Sequence, residues 1–428
     1  MGWHWWYKLR SYVSSSLWAV PFIALLLQQA TLHAAIALEQ KIKWIPAWPL
    51  SPAGTEAALQ AITSLTVSFV VFTFGFLLVA IQVASGQLTP RIIATTLLRD
   101  NVIRVTVGLF IFALLFAIGA TSRSGSDVPS LLTWTAAVLG FCSIASFLYM
   151  IDHSARLLRP VSIVWRLAEE ARAVIESVYP KTLGDLEDAG LGADRRQPGV
   201  SFRAIDHQGT SAIILAVNVE ALVSEANRAD LVIEVVPRVG DFVAVGEPLF
   251  LLHGGGNPVD EYKLRGAVAF GPERTIEQDT TFAFRIIVDI AIKALSPAIN
   301  DPTSAVLAID QLHRLLRIVG SRNLHDKQCL DREGRVRLLF RMPNWENFVQ
   351  LSCREIRCYG ADNLQIARRL RAMLEHLLQN LPEPRHPALR LELALLDRTI
   401  EVAYRLQEDR FLARIPDRQG LGGVSSDY

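Results

Sequence analysis

Four long apolar stretches lie in the first third of the chain. They cover residues 17–38, 62–84, 102–120 and 131–151. Each is close to the roughly 20 apolar residues that an α-helix needs to cross a bilayer. No Asp, Glu, Lys or Arg lies near the middle of any stretch. The pattern therefore predicts a transmembrane region with four spans over residues 1–155.

Basic residues beside these stretches predict their orientation. Short cytoplasmic loops carry the excess of Lys and Arg, so both termini are expected on the cytoplasmic side of an inner (plasma) membrane. The first stretch also has features of a signal peptide, and its removal would still leave a cytoplasmic C-terminus. The larger group of basic residues is Lys8, Arg10, Arg91, Arg99, Arg104, Arg156, Arg159 and Arg166, against Lys41, Lys43 and Arg123 on the other side.

Small and polar residues recur along the second stretch at spacings near one helical face. Such a row lines a pathway in some membrane proteins, and in others it packs helices together, because lipid provides no hydrophobic drive between them. Both interpretations remain open from the sequence. The absence of a carboxylate in mid-span argues against a proton pump with a carboxylate relay. The residues of this row are Ser64, Ser68, Gly75 and Gln82.

A different pattern begins after residue 151. The turns over residues 238–250 resemble those of barrel-sandwich domains, the biotinyl/lipoyl-like fold, which carry a cofactor on a lysine. Lys263 lacks the motif that flanks such a lysine, so no cofactor is expected. The predicted segments are a helical stalk and linker at 156–199, a small β domain at 200–271, a mainly helical domain at 272–415 and a flexible tail at 416–428.

The fold class predicted from both parts is an α+β membrane protein. It combines a four-helix transmembrane bundle with a cytoplasmic part made of a barrel-sandwich-like β domain and a helical domain. Between the second and third spans, residues 87–100 are expected to form a short amphipathic helix along the inner interface.

A helix over residues 280–295 carries a short row of opposite charges. Arg285, Asp289 and Lys293 follow each other at intervals of four residues on an otherwise apolar helix. Such spacing places them on one face, where they pair along the helix. The row is either a partly buried salt ladder between packed helices or part of a binding site.

The segment after this helix contains Asn300 and Asp301. Asp301 is expected to cap the next helix, with Pro302 at its first position. The two side chains are also candidates to ligate a cation, but two residues do not define a metal site. Further along, Arg368, Arg369 and Arg371 are expected on a solvated helix face.

Composition excludes several classes of protein. Lys and Arg total 43 and Asp and Glu total 42, so the chain is not a generally basic nucleic-acid binder. Hydrophobic residues make up 51% and charged residues 20%, which fits membrane segments. The four cysteines have no histidines at spacings that complete a zinc site. No nucleophile elbow or paired catalytic carboxylates are recognisable, so no catalytic residue is assigned.

Three groups of residues together resemble a bacterial family of predicted membrane proteins, the domain-of-unknown-function family twenty-two fifty-four. The resemblance implies a four-span membrane region with a cytoplasmic domain, and it implies no activity and no catalytic residues. Thr303 and Ser304 depart slightly from the family pattern. The groups are residues 85–91 with Asp100, Arg274 with Gln278 and Asp279, and residues 289–302 from Asp289 to Pro302.

Two functions are consistent with this organisation. The first is an oligomeric permeation or transport protein gated by its cytoplasmic domain. The alternative is a membrane-anchored regulatory or scaffold protein that binds a cytoplasmic partner or a small ligand. The expected partners are the lipid bilayer and further copies of the same chain, and no nucleic acid is expected.

Overall fold

A computed structural model of the chain describes residues 19–41, 49–87, 100–122, 130–157, 159–183, 202–254, 257–324, 327–360 and 362–422. Residues 88–99 of the predicted interfacial helix and residues 184–199 of the predicted linker lie outside the described residues. The described residues divide into two compact units, one that ends at Ile163 and one that begins at Val164.

The first unit contains four helices that are long and apolar enough to cross a membrane. The last three predicted spans each fall within one of them, and the first overlaps its helix over residues 19–38. The second helix is longer than the predicted span and extends beyond it at both ends. The helices are α1 (Ala19–Lys41), α2 (Pro52–Gln87), α3 (Asn101–Thr121) and α4 (Ser130–Leu157).

Helix α3 packs against the other three helices of this unit. It begins at Asp100, whose Oδ1 accepts hydrogen bonds from the backbone N–H groups of Val102 and Ile103. The same carboxylate lies 3.0 Å from Nε2 of His153 on α4. A cap contact of this kind satisfies N–H groups that the helix itself leaves unpaired. Asp100 therefore ties the start of α3 to the end of α4.

Apolar side chains, with several buried hydroxyl groups, fill the interior of this unit. Phe69 of α2 stacks on Phe147 of α4, with ring centroids 4.2 Å apart, and Phe110 of α3 lies beside both rings. Gly140 lets α4 approach α2, because a β-carbon there would lie 3.2 Å from Ile62.

Large apolar side chains cover the outer surface of this unit, as expected for helices that face lipid. Examples are Phe22, Leu26, Val71, Phe72, Leu78, Phe141 and Leu148.

Helix α5 (Pro160–Val178) begins at a proline, within the segment predicted as a helical stalk. Proline suits the first position of a helix because it has no N–H group to leave unpaired.

Two sheets follow this helix in the chain. Their strands are β1 (Phe202–Asp206), β2 (Ala212–Val217), β3 (Leu231–Val235), β4 (Phe242–Val243), β5 (Pro248–Gly254), β6 (Val268–Gly271), β7 (Lys327–Leu330) and β8 (Val336–Phe340).

The larger sheet has the order β1-β5-β3-β8-β7, and the smaller has the order β4-β2-β6. Strands β3 and β8 are parallel, with Ile233 opposite Leu338, and the other pairs are antiparallel. The larger sheet thus joins residues from the predicted β domain to residues from the predicted helical domain. Strands β4 and β5 flank the second of the turns over residues 238–250, and they belong to different sheets.

The remaining helices pack around these sheets and against each other. Two short helices connect strands, and the others form the C-terminal part of the unit. They are α6 (Val219–Ala229), α7 (Glu261–Gly266), α8 (Thr280–Ala294), α9 (Pro302–Gly320), α10 (Trp345–Gly360), α11 (Leu364–Asn380), α12 (His386–Ala403) and α13 (Gln407–Ala413). The predicted α+β fold class is confirmed.

The prediction of a solvated face on α11 is wrong. Arg368 is 1% exposed and donates hydrogen bonds to the carbonyl oxygens of Ile415 and Gly422. Arg369 binds Asp310 of α9, and Arg371 binds Asp397 of α12. Arginine is suited to joining several segments because its planar guanidinium group can donate hydrogen bonds to several acceptors at once. Residues up to Gly422, within the predicted flexible tail, are held in this way against α11.

Candidate functional site

The second unit contains a cavity of about 160 Å³ where several elements end or begin. Its wall includes the end of α5, the end of β2, the turn before β4, the start of α8 and the segment after β8. Both polar and apolar residues line the cavity. The lining residues are Ser177, Val178, Val217, Val219, Arg238, Val239, Glu277, Gln278, Asp279, Thr280, Phe340, Arg341, Met342 and Pro343.

Asp279 is a buried acidic residue of the cavity lining. Its side chain is 3% exposed. Its Oδ1 accepts hydrogen bonds from the N–H groups of Thr281 and Phe282, both at 3.0 Å, and from Oγ1 of Thr281 at 2.7 Å. Its Oδ2 accepts no hydrogen bond from any residue that the structure describes, and it lies 3.6 Å from Nη1 of Arg274. Burial raises the pKa of Asp279, although Thr281 and Arg274 act in the opposite direction.

Gly240 packs directly against this carboxyl group. Its φ is +93°, a backbone conformation that favours glycine. A β-carbon at this position would overlap Asp279 Oδ2 and lie 3.0 Å from Asp279 Cγ. The turn before β4 and the start of α8 are therefore fitted to each other.

Gln278 ties the same helix start to the smaller sheet. Its Oε1 accepts a hydrogen bond of 3.0 Å from the backbone N–H of Val217, the last residue of β2. Arg274, Gln278 and Asp279, one of the three groups that carry the family resemblance, thus connect the turn, the sheet and α8. Their arrangement explains why these residue types occur together.

Two arginines, Arg238 and Arg341, also line the cavity. Arg341 is largely exposed and bonds Glu234 at 3.3 Å. Arg238 is half-buried, and its backbone N–H donates to Asp241. Its guanidinium makes no hydrogen bond or ion pair with any residue that the structure describes. The cavity therefore contains one positive charge without a protein counter-charge among the described residues.

The predicted charge row on α8 forms a salt network between two helices. Arg285 Nε donates to Asp289 at 2.7 Å, and its Nη2 donates to Glu355 of α10 at 2.9 Å. These carboxylates raise the pKa of Arg285, with Glu355 the largest cause. Lys293 lies at the end of the row and lines, with Arg285, Asp289 and Glu355, an open groove of about 400 Å³. The charges in this groove are largely balanced.

Asn300 and Asp301 shape the start of α9. Asn300 adopts a left-handed conformation with φ +48°. Asp301 Oδ1 accepts a hydrogen bond from the N–H of Ser304 at 3.1 Å, and its Oδ2 accepts one from the Ser304 hydroxyl at 2.5 Å. Asp301 is the N-cap and Pro302 the first helical residue, which confirms the expected cap. Within the described ranges, no three His, Cys, Asp or Glu side chains are grouped as metal ligands.

The four residues of the row on α2 all face outward from the first unit. Ser64, Ser68, Gly75 and Gln82 are exposed, and no atom lies within 4 Å of a β-carbon built on Gly75. Ser68 donates its hydroxyl to the backbone carbonyl of Ser64 at 2.9 Å, which reduces the cost of placing it toward lipid. Among the described residues of one chain, this row therefore lies on an exposed helix face.

The comparison with known proteins identifies the family. Residues 14–376 match the family described as "Predicted membrane protein (DUF2254)". The chain belongs to this family. It is similar to an uncharacterized protein of Mycobacterium bovis and to two uncharacterized proteins of Mycobacterium tuberculosis. Each is 26% identical over 376 residues, covering 84% of this chain and 71% of the relative. No solved structure matches the chain.

The residues of this cavity appear in the sequence only as parts of other features. Gln278 and Asp279 belong to a motif that carries the family resemblance, and neither was assigned to a cavity. Arg238 and Gly240 were noted only as part of a turn. The turn residues Gly240 and Asp241 gave a signal for a sharp reversal of the chain. They gave no signal for its contact with α8, which lies about 40 residues later.

Proposed function

We propose that this DUF2254 protein is a membrane-anchored regulatory protein whose C-terminal unit binds a small ligand in the cavity beside Asp279. The observation that carries the proposal is the enclosure of this cavity by both sheets, α5 and the start of α8. Concave sites with mostly apolar walls and a few convergent polar groups are typical of ligand pockets. A ligand there contacts five separate segments and changes their relative stability.

Filling the cavity tests this function. In Val219→Trp, a large ring replaces a lining side chain at the first residue of α6. We expect a panel of small neutral, cationic and anionic compounds to contain at least one that raises the thermal unfolding midpoint of the full chain in detergent. That saturable rise should disappear in Val219→Trp. Val245→Trp, at an exposed position, is the matched control and should keep it.

The proposal is contradicted if no compound of the panel binds saturably. It is also contradicted if the filled variant, folded by circular dichroism, binds as the unchanged protein does. The readout is binding itself, so it does not depend on what the membrane region does.

A permeation or transport protein is the second candidate, and the exposed row on α2 favours it. Polar side chains that face lipid are unfavourable, so a row of them on an outer face suits a path or contact between copies. Val71 and Leu78 are also exposed on this helix, which makes the row discontinuous. This is why the ligand-binding function ranks first.

Chemical modification in liposomes tests permeation. In a Cys142→Ser background, which removes an exposed native thiol, we expect Ser68→Cys to change ion flux when a charged thiol reagent is added. Ile23→Cys, at an exposed position on α1, is the control and should not respond. Permeation is excluded if the protein conducts nothing across varied ions, voltages and membrane tensions.

A further inference from the structure

The cavity beside Asp279 has a chemical preference that its charges determine. A guanidinium group stays protonated in proteins, and a charge that leaves water without a counter-charge is unfavourable. Arg238 is half-buried on the cavity wall and has no ion-pair partner among the described residues. An anionic group in the cavity therefore gains from an interaction that the free protein lacks.

The acidic residues of the cavity do not supply this counter-charge. Asp279 has its Oδ1 occupied by three donors, and the cation nearest to its Oδ2 is Arg274 rather than Arg238. Burial also favours the neutral form of its carboxyl group. Glu277 is exposed, and no ion pair joins it to Arg238 in the part of the chain that the structure describes. One positive charge therefore remains on the cavity wall.

The size and the other walls restrict the ligand further. The volume of about 160 Å³ is below the roughly 300–1,000 Å³ of typical ligand pockets, so the ligand is small. Val217, Val239, Phe340 and Met342 contribute apolar surface to the lining. One cation matches one negative charge, and a doubly charged phosphate requires more donors than Arg238 alone provides.

We infer that the cavity binds a small monocarboxylate, with its carboxylate on the guanidinium of Arg238 and a compact apolar body against Val217, Val239 and Phe340. This inference rests on the proposed ligand-binding function and names the class of ligand. Two parallel hydrogen bonds from a guanidinium to a carboxylate give both affinity and orientation. A neutral molecule of the same shape receives only the apolar contacts.

Calorimetric titration of the full chain in detergent tests the inference, with benzoate as the probe and benzamide as its neutral counterpart. We expect saturable benzoate binding and benzamide binding that is weaker by about tenfold or more, as for loss of a charge-assisted pair. Arg238→Gln should weaken benzoate binding by a similar factor and leave benzamide unchanged. Arg398→Gln, which removes an exposed arginine of α12, is the matched control and should bind both probes normally.

Arg238→Lys covers the case in which Arg238→Gln does not fold. Lysine keeps the positive charge but lacks the planar guanidinium that forms two parallel hydrogen bonds. This variant should therefore bind benzoate several-fold more weakly than the unchanged protein does. It should still bind benzoate more tightly than benzamide. Equal affinity of the unchanged protein for both probes overturns the inference. So does benzoate binding that is unaffected by either change of Arg238. If the cavity binds only a neutral ligand, and Val219→Trp abolishes that binding, the ligand-binding function is upheld. The inference that the ligand is a carboxylate is then overturned.

Discussion

Gly240→Ala should be among the most destabilising single-methyl changes in the C-terminal unit. The new β-carbon meets two obstacles, a φ of +93° and the carboxyl group of Asp279. A non-glycine residue in this backbone region costs about 1–2 kcal/mol. Displacing Asp279 from the start of α8 removes a cap worth about 1 kcal/mol or more. We therefore expect a loss of about 3 kcal/mol in the free energy of unfolding.

Gly246→Ala separates the two causes. Gly246 has a similar φ of +87°, but no atom lies within 4 Å of a β-carbon built there. It should show only the backbone cost, about 1–2 kcal/mol. Hydrogen exchange of the first-turn amides of α8, which Asp279 holds, provides the readout. Equal effects of the two changes on these amides would show that Asp279 is not fitted against Gly240.

Acid should destabilise the contact between α9 and α11 before most carboxylates titrate. His313 Nε2 and His376 Nδ1 lie 2.8 Å apart, so one ring donates to the other when both are neutral. Burial lowers the pKa of His313 to about 4, and His376, Arg369 and Arg317 act in the same direction. Burial also lowers the pKa of His376.

The direction of the pH dependence follows from these shifts. An unfolded histidine takes up a proton near pH 6.5, whereas folded His313 stays neutral until about pH 4. The unfolded state therefore binds more protons between these values, and stability falls as the pH is lowered through this window. The total loss is about 3 kcal/mol, of which about 2 kcal/mol should be lost by pH 5.

Hydrogen exchange of α9 and α11 between pH 7 and 5, corrected for the intrinsic pH dependence of exchange, measures this effect. His313→Gln should flatten the pH dependence, because glutamine does not titrate and still offers a donor and an acceptor. His33→Gln, at an exposed position on α1, should leave it unchanged. A full pH dependence in His313→Gln would contradict the assignment to this pair.

Local signals in the sequence predicted local structure well. Asp301 was identified as a helix cap from its residue type and from the proline that follows it, and the structure places it there. Capping depends on the backbone within three or four residues, so a short window contains the information. The four apolar stretches likewise predicted four helices of membrane-spanning length.

Contacts between distant segments were not predictable in the same way. Arg368 was assigned to a solvated face because charged side chains on a helix usually face water. Its acceptors, the carbonyls of Ile415 and Gly422, come from a segment that carries no pattern of its own. The free charge of Arg238 was missed for the same reason. Whether an arginine is paired depends on which distant carboxylates reach it, and residue spacing does not encode that.

The parallel pairing of β3 with β8 has a consequence for how the chain folds. Ile233 and Leu338 are neighbours in the sheet although about a hundred residues separate them. The entropy of closing so large a loop must be overcome before this pairing contributes stability, which slows folding. During synthesis, β3 is made well before β8, so the edge of β3 that pairs with β8 stays unpaired until β8 has been synthesised. Such an edge is a template for aggregation, so expression of fragments that end before residue 336 should yield insoluble material.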